Sequence, residues 1–284
     1  MMKICRYGAP GAEKPGVMDT DGLLRDLSGL VSDITPDTIE QVLEGLRQPG
    51  VIDRLPRVSG APRLGPPLKT VSKFVCIGLN YRDHAKEARM EIPEEPVIFF
   101  KAPSCISGPD DDVVAPANST RLDWEAELGI VIGRNAKQLS REEAMESVAG
   151  YCIVNDVSDR GFQFQSSQWD KGKSLDTFGP IGPYLVTRDE VPDPHALSIW
   201  LEVNGERRQD SHTSQMIFSV ADIVSYVSHY MTLMPGDIIA TGTPAGVALG
   251  MKPAPKWLQD GDRVRIHIEK LGYQNQRVVR SAAR

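Results

Sequence analysis

The sequence predicts an α+β fold in which short strands form most of the molecule and a few helices pack on its outside. The chain of 284 residues contains 25 Gly and 21 Pro, so turns should be frequent. Its apolar runs are mostly short, rich in β-branched residues and bounded by Gly, Pro or Asp, which is typical of strands. Few stretches show the 3.6-residue spacing of an amphipathic helix.

The first elements form a small N-terminal unit. Residues 2–29 contain strand-like runs around Asp21-Gly22, where glycine can supply the positive φ of a tight turn, and we expect a β-hairpin. A helix should begin at Thr35-Pro36, with Thr35 as N-cap and Pro36 in the first helical position. The apolar stripe of this helix consists of Ile39, Val42, Leu43 and Leu46.

A domain boundary is predicted near residue 70. The stretch LPRVSGAPRLGPPLK holds four prolines and two glycines, so neither a helix nor a strand can continue through it. We therefore expect a small hairpin-plus-helix domain in residues 1–70 and a larger domain in residues 71–284.

The second segment alternates strands with a few helices. It opens with the buried-strand pattern KFVCIGLN, followed by the helix candidate YRDHAKEARM. Further helices are predicted at REEAMESVAG and SVADIVSYVSHYM, and Asn204-Gly205 is a strong hairpin signal. The remaining strand candidates are WEAELGIVIG, GYCIVNDV, GPYLVT, LSIWLEVNGERRQD, GDIIATGT and DRVRIHIEKLG.

Composition narrows the class of partner. The net charge of −6 is spread along the chain, which argues against a nucleic-acid surface, because phosphate binding requires clustered basic residues. No apolar run approaches the about 20 residues of a membrane span, and the N-terminus lacks a signal-peptide core. The four cysteines form no CxxC pair. We expect a soluble cytoplasmic protein with a small-molecule ligand.

An acidic pattern predicts a metal site. Glu125 and Glu127 lie two residues apart in a strand, so their side chains share one face, and Asp156 ends a second apolar strand, YCIVND. Carboxylates without Cys or His suit Mg²⁺ or Mn²⁺. Spacing alone fits equally well an edge strand with solvated glutamates and Asp156 as a helix cap. The apolar residues around these positions favour the metal site.

A histidine and a glutamate lie one helical turn apart in NYRDHAKEA. The Glu87 carboxylate can orient the His84 imidazole, as a water-activating dyad requires. The alternative is an exposed ion pair of no catalytic use, which is the commoner meaning of an isolated HxxE pattern.

Two glycine-containing segments carry polar groups suited to an anionic substrate. WDKGKSLDTFGPIGP contains Lys171 and Lys173, where a cation can hold a carboxylate or enolate oxygen. The P-loop pattern fails there, since Ser167 replaces its first glycine. The loop TGTP around Thr243 can cradle a carboxylate or be an ordinary turn. GxSxG and GxGxxG are both absent from the sequence.

Several blocks in order resemble the signature of the fumarylacetoacetate hydrolase family. They cover residues 72 to about 250, and the preceding segment is similar to the N-terminal extension of longer bacterial members, some of which act on 2,4-diketo-3-deoxy sugar acids. The blocks are LNYRDHAKE, EEPVIFFK, DWEAELGIVIG, GYCIVNDVSDR, WDKGKSLDTFGPIGP, MIFSVADIVSYVS and GDIIATGTPAGV.

The resemblance implies a fold, an assembly and residue roles. The fold would be a mixed β-roll with peripheral helices, assembled as a homodimer, and His84 with Glu87 would lie on a lid that orders over the substrate. One departure is Leu79, where many relatives carry a polar residue. The implied roles are metal binding for Glu125, Glu127 and Asp156, catalysis for His84, Glu87 and Lys173, and substrate binding for Thr243, Arg160 and Gln163.

The implied reaction is hydrolysis of the C3–C4 bond of a 2,4-diketo acid to pyruvate and a carboxylic acid. His84 would deprotonate the attacking water, and Lys173 and the metal would neutralise the pyruvate enolate. Rival activities at the same site are oxaloacetate decarboxylation and isomerisation of unsaturated dioic acids. A rival of another class is a non-catalytic binding protein stabilised by its metal.

Overall fold

A computed structural model describes residues 2–282 of the chain, and strands dominate it, as the sequence predicts. The strands are β1 (Lys3–Tyr7), β2 (Lys14–Met18), β3 (Leu24–Asp26), β4 (Leu64–Gly65), β5 (Phe74–Gly78), β6 (Val97–Lys101), β7 (Ile106–Ser107), β8 (Val113–Ala115), β9 (Leu122–Asp123), β10 (Ala126–Ile132), β11 (Val148–Asn155), β12 (Ser158–Asp159), β13 (Gly179–Thr187), β14 (Ser198–Val203), β15 (Glu206–His212), β16 (Ile238–Ala240), β17 (Arg263–Ile268) and β18 (Gly272–Arg280). The α-helices are α1 (Ile39–Leu46), α2 (Val51–Arg54), α3 (Arg82–Ala88), α4 (Arg141–Ala144), α5 (Arg160–Gln163), α6 (Asp170–Lys173) and α7 (Val220–Tyr230).

A large mixed sheet runs through the molecule in the order β3-β2-β1-β13-β11-β10-β16-β5-β6. Its central strands β10 and β11 are buried along their whole length, because they carry continuous apolar sequence. A second sheet has the order β15-β14-β17-β18-β8, and β9 pairs with β12 in a short ribbon. Buried side chains of both sheets belong to one hydrophobic core.

The N-terminal segment joins the large sheet directly. Strand β1 pairs antiparallel with β13, with Ile4 opposite Leu185. Strands β2 and β3 extend this edge as a meander, and the predicted turn at Asp21-Gly22 connects them, with Gly22 at φ 77°. Whether residues 1–70 fold as a domain of their own remains a prediction.

The first helix begins later than the sequence predicts. Thr38, not Thr35, precedes its first residue, and residues 36–38 form a turn. The cause is local hydrogen bonding, because the Thr38 hydroxyl donates to the Asp33 carbonyl and accepts from the Thr35 N–H. The apolar stripe is confirmed, since Ile39, Val42, Leu43 and Leu46 are all buried.

The other three predicted helices form, and one of them is shorter than the sequence predicts. α3 and α7 form as expected, and α7 starts with a capping box between Ser219 and Asp222. The segment REEAMESVAG is α-helical only through α4 and continues as a 3₁₀ helix over Met145–Ser147, because its apolar end begins strand β11. Strand β11 requires a glycine at position 150, because a Cβ there would lie 2.1 Å from the Val186 carbonyl oxygen.

Asn204-Gly205 forms the predicted hairpin turn between β14 and β15, with φ values of 53° and 79°. Within residues 2–282, no helix combines the length and apolar character that crossing a bilayer demands. All four cysteines are buried and free.

Candidate active site

Three carboxylates meet at one end of the large sheet. Glu125 immediately precedes β10, Glu127 lies on it, and Asp156 follows the neighbouring β11. Each offers an oxygen atom that lies within 4.8 Å of the others, and all three side chains are buried. The antiparallel pairing of β10 with β11 brings them together, and the Asp156 N–H donates to the Glu125 carbonyl at 2.9 Å.

This arrangement differs from the alternative of a solvated edge. Strand β10 lies between β11 and β16 in the interior of the sheet, and Glu127 is only 2 % exposed. Asp156 is fully buried, and its carboxylate accepts from two ammonium groups instead of capping a helix.

Three buried cations surround the carboxylates. Lys173, on α6, donates to Glu125 at 2.8 Å and to Asp156 at 2.7 Å. Lys101, at the end of β6, donates to Asp156 at 2.6 Å and to the backbone carbonyls of Val157 and Lys173. Arg160, at the start of α5, donates to Glu125 at 2.5 Å.

The surroundings give the glutamates opposite protonation tendencies. Burial would raise the pKa of Glu125, but the charges of Lys173 and Arg160 outweigh it and hold the pKa at about 2. Burial raises the pKa of Glu127 well above its usual range, and the negative charges of Asp156 and Glu125 raise it further. Glu127 is therefore the carboxylate that most needs an additional cation.

The donor set fits a divalent metal. The formal charges of the buried groups leave one negative charge in excess, so a divalent ion would turn the site net positive and attractive to an anion. Oxygen ligands alone match the preference of Mg²⁺ and Mn²⁺. The groups are the acids Asp123, Glu125, Glu127 and Asp156 and the bases Lys101, Arg160 and Lys173.

A cavity of about 400 Å³ opens onto Glu125 and Glu127. His84 and Glu87 on α3 line it, and their Nδ1 and Oε2 atoms lie 3.1 Å apart. Both side chains are about one-fifth exposed, so the pair is not a freely solvated surface contact. The second Glu87 oxygen accepts from the Gly246 N–H at 3.0 Å, which ties α3 to the loop after β16.

The cavity also contains the remaining predicted residues. Lys173, Thr243, Arg160 and Gln163 line it, whereas Lys171 is exposed and bonds to Gln165. The Thr243 hydroxyl donates to the Ala126 carbonyl at 2.9 Å. The chemical roles of these residues remain predictions, but the structure places all of them at one site.

Sequence reasoning missed two buried charges. Lys101 ends the apolar run VIFFK, and a charged residue that directly continues such a run was the available signal. Asp123 precedes the acidic motif, and its carboxylate accepts from Arg160 and from the backbone N–H groups of Ala248 and Leu249. Asp123 thereby anchors one wall of the cavity.

Leu79 forms an apolar part of the wall. It has φ 50°, a left-handed conformation that is uncommon for a leucine. A polar residue is what the family resemblance leads one to expect here. The structure gives Leu79 a lining position in the cavity, so this part of the pocket offers apolar contact.

Comparison with known proteins gives consistent matches. Residues 73–279 match the family model described as "Fumarylacetoacetate (FAA) hydrolase C-terminal". A protein of Burkholderia multivorans, named only as a hydrolase, is 54 % identical over 278 residues, covering 97 % of this chain and 98 % of the relative.

Solved structures extend the likeness to the fold. A fumarylacetoacetate hydrolase from Exiguobacterium antarcticum superposes with TM-score 0.88 at 40 % identity, covering 99 % of this chain and 100 % of that chain. This match confirms the predicted α+β fold. Maleylpyruvate hydrolase from Sphingobium sp. SYK-6, solved with manganese(II) and pyruvate, gives TM-score 0.81 at 32 % identity, with 99 % and 100 % coverage. A probable 2-hydroxyhepta-2,4-diene-1,7-dioate isomerase from Mycobacterium abscessus gives 0.83 at 32 %, with 99 % of each chain covered.

Proposed function

Since the chain belongs to the fumarylacetoacetate hydrolase family, we propose that it is a metal-dependent hydrolase that cleaves the C3–C4 bond of a 2,4-diketo acid. The observation that carries this proposal is the position of the dyad. His84 and Glu87 line the same cavity as two of the three clustered carboxylates, so a water-activating base and an anion-binding centre face one space.

We assign the metal to Glu125, Glu127 and Asp156. When bound, Mg²⁺ or Mn²⁺ would supply a Lewis acid that polarises the 2-keto oxygen of the substrate. Lys173 keeps its proton, because the charges of Asp156 and Glu125 outweigh the opposing effect of burial and raise its pKa. Its ammonium group would therefore remain a donor beside the enolate oxygen that forms during cleavage.

The dyad would take one proton from water and later deliver it to C3 of the leaving group. Glu87 accepts the proton on Nδ1 of His84, which leaves Nε2 as the basic nitrogen. His84 removes a proton from water as the oxygen bonds to C4 of the substrate. The C3–C4 bond then breaks, its electron pair forms the enolate, and His84 returns the proton to C3. The products are pyruvate and a carboxylic acid.

The relatives favour pyruvate chemistry. The Sphingobium structure holds manganese(II) and pyruvate, and that enzyme is a maleylpyruvate hydrolase. The 2,4-diketo-3-deoxy sugar acids are the subgroup of substrates that we propose to test first, since the apolar wall at Leu79 suits the terminal methyl group of those members that also lack the terminal hydroxyl. We further propose that the enzyme acts as a homodimer in the cytoplasm.

Isomerisation is the second candidate function, because a solved relative bears the name of a dioate isomerase. Decarboxylation of oxaloacetate would use the same carboxylates and Lys173 without water activation. A non-catalytic metal-binding protein would have no use for a histidine and glutamate bonded to each other inside the cavity.

A substrate panel tests the proposal. Purified protein with Mg²⁺ or Mn²⁺ is assayed for pyruvate release from acylpyruvates, 2,4-diketo-3-deoxy sugar acids and oxaloacetate, and for double-bond migration in unsaturated dioic acids. We expect metal-dependent pyruvate release from a diketo acid, lost in Lys173→Met and retained in Lys171→Met, which alters an exposed lysine two residues away. Isomerisation without pyruvate release from any diketo acid would refute hydrolysis.

A further inference from the structure

A buried glutamine of the second sheet contacts two parts of the active site at once. The Oε1 atom of Gln209 accepts from the Ala126 N–H at 2.9 Å. Its Nε2 atom donates to the Thr243 hydroxyl and to the Pro244 carbonyl, both at 2.8 Å. We propose that Gln209 is a positioning residue that fixes the metal-binding segment relative to the loop of Thr243 and Pro244, in which we assign Thr243 to substrate binding. This inference rests on the proposed function.

Gln209, Thr243 and the backbone of Ala126 form a closed ring of hydrogen bonds. Ala126 lies between Glu125 and Glu127, so its N–H and carbonyl set the direction in which both carboxylates leave the backbone. Gln209 accepts a hydrogen bond from the Ala126 N–H, and the Thr243 hydroxyl donates one to the Ala126 carbonyl at 2.9 Å. The same Thr243 oxygen accepts from Gln209. Displacement of either segment therefore breaks bonds to the other.

The strand that carries Gln209 gives an independent reason. In β15 only Gln209 is buried, while its other residues are exposed or half-buried. At the single buried position of this solvent-exposed strand, an apolar side chain would need no hydrogen-bond partners. A buried amide has to find partners for its donors and its acceptor, and those of Gln209 are Thr243, which lines the cavity, and the backbone of Ala126 and Pro244 next to cavity-lining residues.

The loop after β16 is shaped to lie against β15. Gly246 has φ 106°, and a Cβ there would lie 2.0 Å from the Arg208 carbonyl oxygen and 3.0 Å from the Gln209 Cα. A glycine is thus required for the loop to come close enough for the Gln209 amide to reach Pro244. The second sheet serves as a fixed backing for this loop.

Gln274 provides a matched control. It is an equally buried glutamine of the second sheet, and its amide donates to the carbonyls of Ile153 and Gly182, which do not line the cavity. Its Oε1 atom accepts from Gln276, which is two further hydrogen bonds away from the Glu125 N–H. Loss of its bonds should therefore lower the thermal stability and affect the site much less than loss of the Gln209 bonds. A merely structural role for Gln209 predicts the same behaviour for both glutamines.

The experiment compares Gln209→Met with Gln274→Met. Methionine keeps the length of the side chain and removes every hydrogen bond. Mn²⁺ affinity is measured by calorimetric titration of the metal-free protein, alongside Tm, kcat and KM for the best diketo acid. We expect Gln209→Met to raise the Mn²⁺ Kd about tenfold, as loss of outer-shell support does, and to raise KM more than it lowers kcat. Gln274→Met should lower Tm and change the Mn²⁺ Kd and KM much less than Gln209→Met does.

A second variant separates the contact with Ala126 from the contacts with Thr243 and Pro244. It also provides a second test if Gln209→Met folds poorly. Gln209→Glu retains an acceptor for the Ala126 N–H and loses the donors to Thr243 and Pro244. We expect its KM to rise as in Gln209→Met, while its Mn²⁺ Kd stays closer to that of the wild type. Wild-type Mn²⁺ affinity and wild-type KM in both Gln209 variants would overturn the inference. A wild-type protein that binds no Mn²⁺ would instead overturn the proposed function.

Discussion

Among single residues, Glu127 is the carboxylate on which metal binding should depend most. Within residues 2–282, Glu125 and Asp156 each form ion pairs with a lysine, whereas the Glu127 carboxylate accepts from a backbone group, the Gly242 N–H, at 2.7 Å. Burial and the like charges of its neighbours raise its pKa. A divalent cation would supply the charge that lets Glu127 ionise.

We predict that Glu127→Gln abolishes metal-dependent turnover while the fold is retained, because glutamine keeps the volume and loses the anionic ligand. Pyruvate release and Mn²⁺ occupancy are measured on the same sample, and chelation of the wild type should reproduce the loss. Near wild-type turnover by the variant, with its occupancy known, would show that the metal assignment is wrong.

Replacement of His84 by alanine should separate hydrolysis from decarboxylation. Hydrolysis requires an activated water, and loss of a general base costs about 10²–10⁴-fold in rate, whereas decarboxylation requires only an electron sink. We expect His84→Ala to lose diketo-acid cleavage and to retain more of any oxaloacetate decarboxylation, with Mn²⁺ affinity unchanged. The two rates are compared at saturating metal with pyruvate as the common product. Equal losses would indicate that His84 shapes the pocket instead of activating water.

At the scale of elements, Asp33 links strand β1 to the segment between β4 and β5. Its carboxylate accepts from Arg6 of β1 at 2.6 Å and 3.1 Å and from the Ile34 N–H at 2.8 Å, and it pairs with Lys69 at 3.3 Å. Burial alone would raise its pKa, but these bonds and charges bring it below the ordinary value of 3.8. One side chain thus joins three separate segments.

The lowered pKa gives a stability prediction with a defined sign. The stabilisation from Asp33 is fully present above its unfolded-state pKa and is lost as pH falls through the folded one. We expect Asp33→Asn to lower the free energy of unfolding by about 1–3 kcal/mol at pH 7, since hydrogen bonds to a charged group are lost. The difference from wild type should shrink below about pH 4. Urea unfolding across pH measures it, with the exposed Asp37→Asn as control. A difference independent of pH would contradict the account.

At the scale of the whole molecule, local patterns predicted the elements better than their arrangement. The apolar runs of β10 and β11 and the stripe of α1 act within a few residues, so sequence periodicity reveals them. The order of strands depends on contacts between distant segments, such as the parallel pairing of β5 with β16. Periodicity contains no information about that pairing.

The site shows the same limit. The spacing of Glu125 and Glu127 was readable because it follows the alternation of a single strand. Lys101 reaches Asp156 although three strands separate β6 from β11 in the sheet order, and Gln209 reaches the site from the second sheet. Such residues become visible only when the fold places their charges or amides in the interior.

The distribution of apolar surface predicts how two copies meet. Of the eleven large apolar side chains that are exposed within residues 2–282, four lie in residues 90–100, at or just before the edge strand β6. They are Met90, Ile92, Val97 and Phe100. An exposed apolar edge invites pairing, and a second copy would cover it. Met90 also lines the cavity, so a dimer formed here would border the active site.

We therefore predict a homodimer that depends on this edge. Light scattering after size exclusion should give twice the chain mass of 31.2 kDa at micromolar concentration. Phe100→Lys places a charge on the edge and should shift the protein toward monomer, because burying an unpaired charge opposes association. Tyr230→Lys, on a more exposed aromatic residue at the end of α7, should leave the dimer intact. A monomeric wild type, or equal dissociation in both variants, would show that β6 is not the interface.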